Sequence, residues 1–267
     1  MSAAFAAGAL IAALGAVVIA GRPAEAQTVF ADGMSAPPSP PCVLDECLNR
    51  GAGPASEGSP DAPAASNSPP GPASRVAPGD FDFYVLALSW SPGFCDAGGE
   101  TKAPDQCAIG TGLGFVVHGL WPQNAHGYPS DCDNGARPVS RAALAAAEGV
   151  FPSEGLARYE WRKHGACTGL APQAFFASVR RARDSIAVPD AFIAPRREQS
   201  FAPIEIARAF IAVNAGLRLS AMAVTCERNE LTDVRLCLAK DLRGFVDCPE
   251  VARRGCRSPS VSVAPIH

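Results

Sequence analysis

The chain has 267 residues, 48% of them apolar and 18% charged, with a formal net charge of −3. That is enough apolar material for one sizeable core. The acidic balance excludes a protein that grips nucleic acid over a broad basic surface, so any polyanion must be bound locally and transiently. In chain order, residues 1–26 read as an export signal. An apolar run from Leu10 to Ala20 precedes Ala24-Glu25-Ala26, an A-x-A cleavage site before Gln27. The run is short for a membrane anchor, although no Lys or Arg stands before it. Residues 27–78 are dominated by Ala, Pro, Ser and Gly and are expected to be disordered, because such a segment buries too little apolar surface to offset its ordering entropy. Cys42 and Cys47 fall in this tail and are given no role in the domain that follows. The chain has ten cysteines and no C-x-x-C pair, and behind an export signal that pattern reads as disulfides rather than a zinc site. The mature chain is expected to be secreted or periplasmic and off the membrane.

Folding signals begin near Phe81, and residues 79–267 form the expected domain. Asp82 to Trp90 and Gly112 to Leu120 read as strands. Pro138 to Val150, Leu156 to Gly165, Gln173 to Ile186 and Pro203 to Ala215 read as helices. Leu219 to Cys226, Leu231 to Leu238 and Gly244 to Cys248 read as late strands. Strands and helices come in clusters rather than strict alternation, which predicts an α+β fold.

Two segments carry chemistry. In Phe115-Val116-Val117-His118-Gly119-Leu120-Trp121-Pro122-Gln123, a strand delivers His118 to its end and Gly119 lets the chain turn. In Tyr159-Glu160-Trp161-Arg162-Lys163-His164-Gly165-Ala166-Cys167, helical spacing sets Glu160, Lys163 and His164 on one face, with Gly165 as the C-cap. A lone histidine is more often structural than catalytic, and cations at a helix end suit the macrodipole without any further role. Taken together, the segments gather a carboxylate, an ammonium and two imidazoles.

These two segments resemble the active-site segments of the ribonuclease T2 family. The likeness extends to Leu86-Ala87-Leu88-Ser89-Trp90-Ser91-Pro92-Gly93-Phe94-Cys95, to Tyr128-Pro129-Ser130-Asp131-Cys132, and to the late strands Leu231 to Cys237 and Phe245 to Pro249, over about residues 80–256. The resemblance implies an antiparallel sheet flanked by helices and stabilised by disulfides. It also implies the pairs Cys95–Cys107, Cys132–Cys167, Cys226–Cys256 and Cys237–Cys248. The implied activity is endonucleolytic cleavage of single-stranded RNA through 2′,3′-cyclic phosphates, by a monomer that needs no metal or other cofactor. His118 and His164 are then the acid–base pair, Lys163 stabilises the phosphoryl charge, and Glu160 orients the site or shares in proton handling. His164 is preferred as base and His118 as acid, with the opposite assignment left open.

Trp121 is a candidate for stacking on a base, a contact worth roughly 1–3 kcal/mol in single-stranded recognition. Tyr128 and Gln123 are further candidates for base contact. Tyr159 stands where many members of the family have a phosphate-binding histidine, which predicts weaker substrate binding or a shifted pH optimum. His126 reads as a surface residue, and Arg180-Arg181-Ala182-Arg183 as a solvated helix face. Two other readings are a catalytically silent member of the fold that binds RNA or protein, and a zinc hydrolase using His118, His126 and His164. The zinc reading lacks histidines three to five residues apart.

Overall fold

A computed structural model of the chain describes residues 77–132 and 138–266. The expected export signal, nearly all of the expected tail, and Cys42 and Cys47 lie outside those residues. The elements, in order, are β1 (Phe83–Trp90), α1 (Ser91–Asp96), α2 (Pro104–Cys107), β2 (Phe115–Gln123), α3 (Arg141–Ala147), α4 (Glu154–Lys163), α5 (Pro172–Asp184), β3 (Gln199–Phe201), α6 (Pro203–Val213), β4 (Met222–Glu227), β5 (Glu230–Ala239), α7 (Pro249–Arg253) and β6 (Val261–Val263).

Local chemistry starts the helices where the sequence signals them. The Ser140 and Ser153 hydroxyls accept from Ala143 N and Leu156 N, at 3.1 and 3.2 Å, to cap α3 and α4. Prolines open α5 and α6 in the first turn, where a missing N–H costs nothing, and the Glu205 carboxylate accepts from Ala202 N at 2.7 Å. The basic stretch of α5 is partly a cap for its neighbour: the Arg180 guanidinium donates to the carbonyls of Ala146 and Glu148 at the end of α3.

The strands form one sheet in the order β2-β1-β5-β6-β3, with β4 also paired to β5. All the strand pairs are antiparallel except for a short parallel contact of β5 with β6 at Glu230 and Ser262, where the chain returns after α7. One face of the sheet carries Tyr84, Leu86, Leu88 and Trp90 of β1 with Val234, Leu236 and Leu238 of β5, all in one core with Phe175, Phe176 and Val179 of α5. The other face has a smaller cluster of Phe83, Val85, Ala87, Trp121, Cys237 and Cys248.

Two strand assignments shift. Leu219–Ala221 is a 3-10 turn, so β4 begins at Met222. Gly244 to Cys248 is not a strand: it makes one bridge, Phe245 to Leu238. The Cys248 N–H goes to the Ser220 carbonyl instead, so the ladder cannot continue along β5. The cysteines pair as the resemblance implies: Cys95–Cys107, Cys132–Cys167, Cys226–Cys256 and Cys237–Cys248. Among the described residues, no helix is long and apolar enough to cross a membrane.

Candidate active site

The site grows from an irregularity in β2. Ala87 of β1 pairs with Gly119 and the next residue, Leu88, pairs with Val117, so His118 has no opposite number on β1. A bulge of this kind re-aims side chains. Val117 and Leu120 both remain in the core beside the helices, while Trp121 belongs to the opposite face. The sequence reading of a strand that ends at His118 and turns at Gly119 is therefore corrected. The strand continues to Gln123, and Gly119 serves close approach rather than a turn. A Cβ at position 119 would lie 2.0 Å from Glu160 Oε2 and 2.2 Å from Trp121 Nε1. Only a glycine lets the Glu160 carboxylate lie against this strand.

Glu160 arrives from α4. It is fully buried, and its Oε2 accepts from Trp121 Nε1 at 2.8 Å. Its Oε1 lies 3.8 Å from His118 Nε2. The adjacent Trp161 turns the other way into the core, against Phe175. The helix ends one residue sooner than the spacing predicts: His164 is its C-cap, with φ −124°, and Gly165 begins a 3-10 turn. Gly165 is needed because a Cβ there would meet the Trp161 ring at 2.6 Å and the Phe175 ring at 2.9 Å. His164 thus leaves the helical face shared by Glu160 and Lys163, and its backbone N–H still donates to Glu160 O at 3.0 Å.

Both imidazoles lie against one indole. The His118 ring is 5.2 Å from the Trp121 ring, edge to face, and the His164 ring is 5.5 Å from it. His118 is 17% exposed at its side chain, whereas His164 is buried, with the Tyr128 ring 6.4 Å away. Lys163 Nζ is 2.8 Å from Asp131 Oδ2, and Asp131 N donates to Lys163 O. The Cys132–Cys167 disulfide holds this loop to the turn after His164. Trp121 is only 6% exposed. Gln123 is half-buried at the end of β2, and Tyr159 is half-buried on α4. His126 is 90% exposed at its side chain and is paired with Glu250 at 3.2 Å, apart from the chemistry, as expected of a surface residue. Among the described residues, no three His, Cys, Asp or Glu side chains are grouped as metal ligands.

Sequence reasoning passed over Asp233 and Arg235. Both lie on β5, both are buried, and Asp233 Oδ1 is 3.7 Å from His118 Nδ1. Arg235 donates to Asp233 Oδ2 at 3.2 Å and stacks over the Trp121 ring at 5.2 Å. Burial by itself would raise the Asp233 carboxyl. The contacts with His118 and Arg235 outweigh it and bring the pKa down to about 2. The available signal was two charges at alternate positions of an otherwise apolar strand, which places both on one buried face.

The arrangement places two imidazoles and a buried carboxylate against one indole, and the Lys163 ammonium stands directly before His164 in the chain. That set can take a proton, give a proton and offset negative charge at a single centre.

The sequence model of the ribonuclease T2 family matches residues 81–248. A ribonuclease of Aeromonas hydrophila is 45% identical over 97 residues, 36% of this chain and 42% of that protein. A probable ribonuclease of Haemophilus influenzae is 36% identical over 121 residues, 41% of this chain and 44% of that protein. Each of these two matches spans less than half of the relative. Ribonuclease I of Escherichia coli is 28% identical over 210 residues, covering 61% of this chain and 77% of that one. Among solved structures, an RNase-related protein from Calystegia sepium superimposes with a TM-score of 0.54 at 21% identity, covering 70% of this chain and 98% of its own. Ribonuclease MC1 from the seeds of bitter gourd gives 0.51 at 19%, covering 68% and 99%. The sheet, the disulfides and a family match running from the start of β1 past the end of β5 agree: the chain belongs to the ribonuclease T2 family.

Proposed function

We propose that this protein is an endoribonuclease that cleaves single-stranded RNA by transesterification, with His118 and His164 as its acid–base pair and without a metal ion. The observation that carries the reading is the pair of imidazoles at 5.2 and 5.5 Å from the Trp121 ring, with the Glu160 carboxylate bound to that indole. RNA supplies its own nucleophile. One imidazole takes the 2′-hydroxyl proton, the 2′-oxygen bonds to phosphorus as the bond to the 5′-oxygen breaks, and the other imidazole gives that oxygen a proton. The product is a 2′,3′-cyclic phosphate. His164 is the base and His118 the acid in the assignment we favour.

Lys163 stabilises the charge that grows on the phosphoryl oxygens, and the phosphate draws it away from Asp131. Glu160 orients His118 and Trp121. With so little of its ring exposed, Trp121 is given a positioning role in place of base stacking. Tyr128, Gln123 and Tyr159 are assigned to substrate contact, with Tyr159 supplying a hydrogen bond without a positive charge. The protein works as a monomer in the periplasm or outside the cell. Four disulfides among the described residues support an oxidising compartment.

The test is cleavage of a labelled RNA oligonucleotide at pH 5 to 7 in excess EDTA, with wild type beside His164→Ala. The expected result is a 2′,3′-cyclic phosphate end from the wild type and at least a ~10³-fold loss in the variant. No cleavage by correctly oxidised wild type overturns the reading in favour of a silent, RNA- or protein-binding member of the fold. Cleavage abolished by EDTA overturns the metal-free mechanism.

A further inference from the structure

Asp233 and Arg235 form a buried ion pair behind His118, and the mechanism above does not use them. A buried pair of this kind is weak evidence for stability, since apolar residues of the same volume often serve as well or better. Its presence beside an acid–base group therefore calls for another explanation. The register supplies one. β1 lies between β2 and β5, and on this face it presents small residues: Asp233 is opposite Ser89, and Arg235 is opposite Ala87, which itself pairs with Gly119. Side chains from β5 can therefore reach across β1 to His118 and Trp121 on β2, a span of two strand spacings, about 10 Å.

The carboxylate is held firmly. Asp233 N donates to Thr225 Oγ1 at 3.1 Å, and Thr225 Oγ1 donates to Asp233 Oδ2 at 3.3 Å. Arg235 donates to the same Oδ2, which leaves Oδ1 facing His118 Nδ1. The charged groups that face the His118 ring include Asp233 from β5, with Arg235 bonded to it, and Glu160 from α4, while His164 packs on the same indole.

We propose that Asp233 is the positioning residue of His118. From Nδ1 it fixes the ring's orientation and tautomer, so that Nε2 is the nitrogen that exchanges a proton with substrate, and its negative charge favours the protonated imidazole that a general acid requires. Arg235 keeps Asp233 charged and couples it to the Trp121 indole. The inference rests on the ribonuclease reading for its kinetic consequence and on geometry alone for its effect on the ring.

The experiment is an NMR titration of the His118 ring in the full oxidised chain, its signal identified with His118→Gln, combined with cleavage kinetics against pH. Asp233→Asn is compared with wild type. Because that variant strands the Arg235 guanidinium, Asp233→Asn/Arg235→Gln, which removes both charges together, is measured beside it. The expected result is a His118 midpoint lower by about one pH unit. With it come a kcat lower by ~10- to 100-fold, a KM within about threefold of wild type, and an alkaline limb of the rate profile displaced by the same amount as the midpoint. An unchanged His118 midpoint in either folded variant overturns the proposal. So does a kcat loss with an unmoved pH limb, the signature of a merely structural pair. If the wild type itself cleaves no RNA, the ribonuclease reading fails, and the titration alone decides: a lowered midpoint upholds the role of Asp233 and an unchanged one overturns it.

Discussion

A methyl group at position 119 would meet Glu160 Oε2 at 2.0 Å and Trp121 Nε1 at 2.2 Å, and both atoms are buried and bonded to each other. Neither is the far end of a side chain free to swing away. Gly119→Ala is therefore expected to push Glu160 and Trp121 apart and to disturb both histidines packed on the indole. Overpacking of this kind costs about 1–3 kcal/mol of stability. Displacement of catalytic groups by about 1 Å costs ~10²-fold in kcat. Thermal unfolding and cleavage kinetics of the variant check the two together, and retention of full activity would show that Glu160 need not lie against β2. The residues proposed to carry the chemistry stand out in the sequence because two imidazoles, a carboxylate and an ammonium are grouped in two short segments. The reason for Gly119 does not, because it depends on which helix comes to rest against the strand.

At the scale of elements, three devices bring the groups together: the bulge in β2, the early end of α4 at His164, and the Cys132–Cys167 bond. The bond anchors the residue next to Asp131, whose carboxylate holds Lys163. The Cys95–Cys107 bond instead joins α1 to α2, neither of which carries any of these groups. Replacing either pair by serines is expected to lower stability by about 2–4 kcal/mol. Only Cys132→Ser/Cys167→Ser is expected to lower kcat as well, by ~10-fold or more, at a temperature where the variant remains folded. Equal activity losses in the two variants, measured at matched distance below each Tm, would remove the special role of the first bond. The α4 and α5 helices were readable from spacing, whereas the C-cap of α4 and the segment at Gly244 to Cys248 were misread. The composition of that segment suits a strand, but the Cys248 N–H bonds to Ser220, and only the fold brings Ser220 there.

For the whole molecule, stability against pH reports on the buried pair. The Asp233 carboxyl is held at about 2 in the folded protein, below the ordinary aspartate value of about 3.9 in the unfolded chain. The folded state thus binds this proton less readily than the unfolded state. The resulting stabilisation is complete above about pH 4 and is lost as pH falls through about 2, a change of about 2 kcal/mol. Denaturant unfolding at pH 5 and pH 2 is expected to show a difference smaller by about that amount in Asp233→Asn than in wild type. An equal difference would mean that Asp233 is not depressed. The sequence by itself determined the fold class and, through the family likeness, the pairing partners of eight cysteines, and it proposed His118, Glu160, Lys163 and His164 as the reacting set, because each reading rests on contiguous residues or on a motif. Only the tertiary structure decided that Trp121 packs against both histidines, that Asp131 engages Lys163, and that Asp233 approaches His118 while Arg235 lies over Trp121. Those contacts join residues up to 115 positions apart across a sheet register, and a register is set by the packing of all its strands at once.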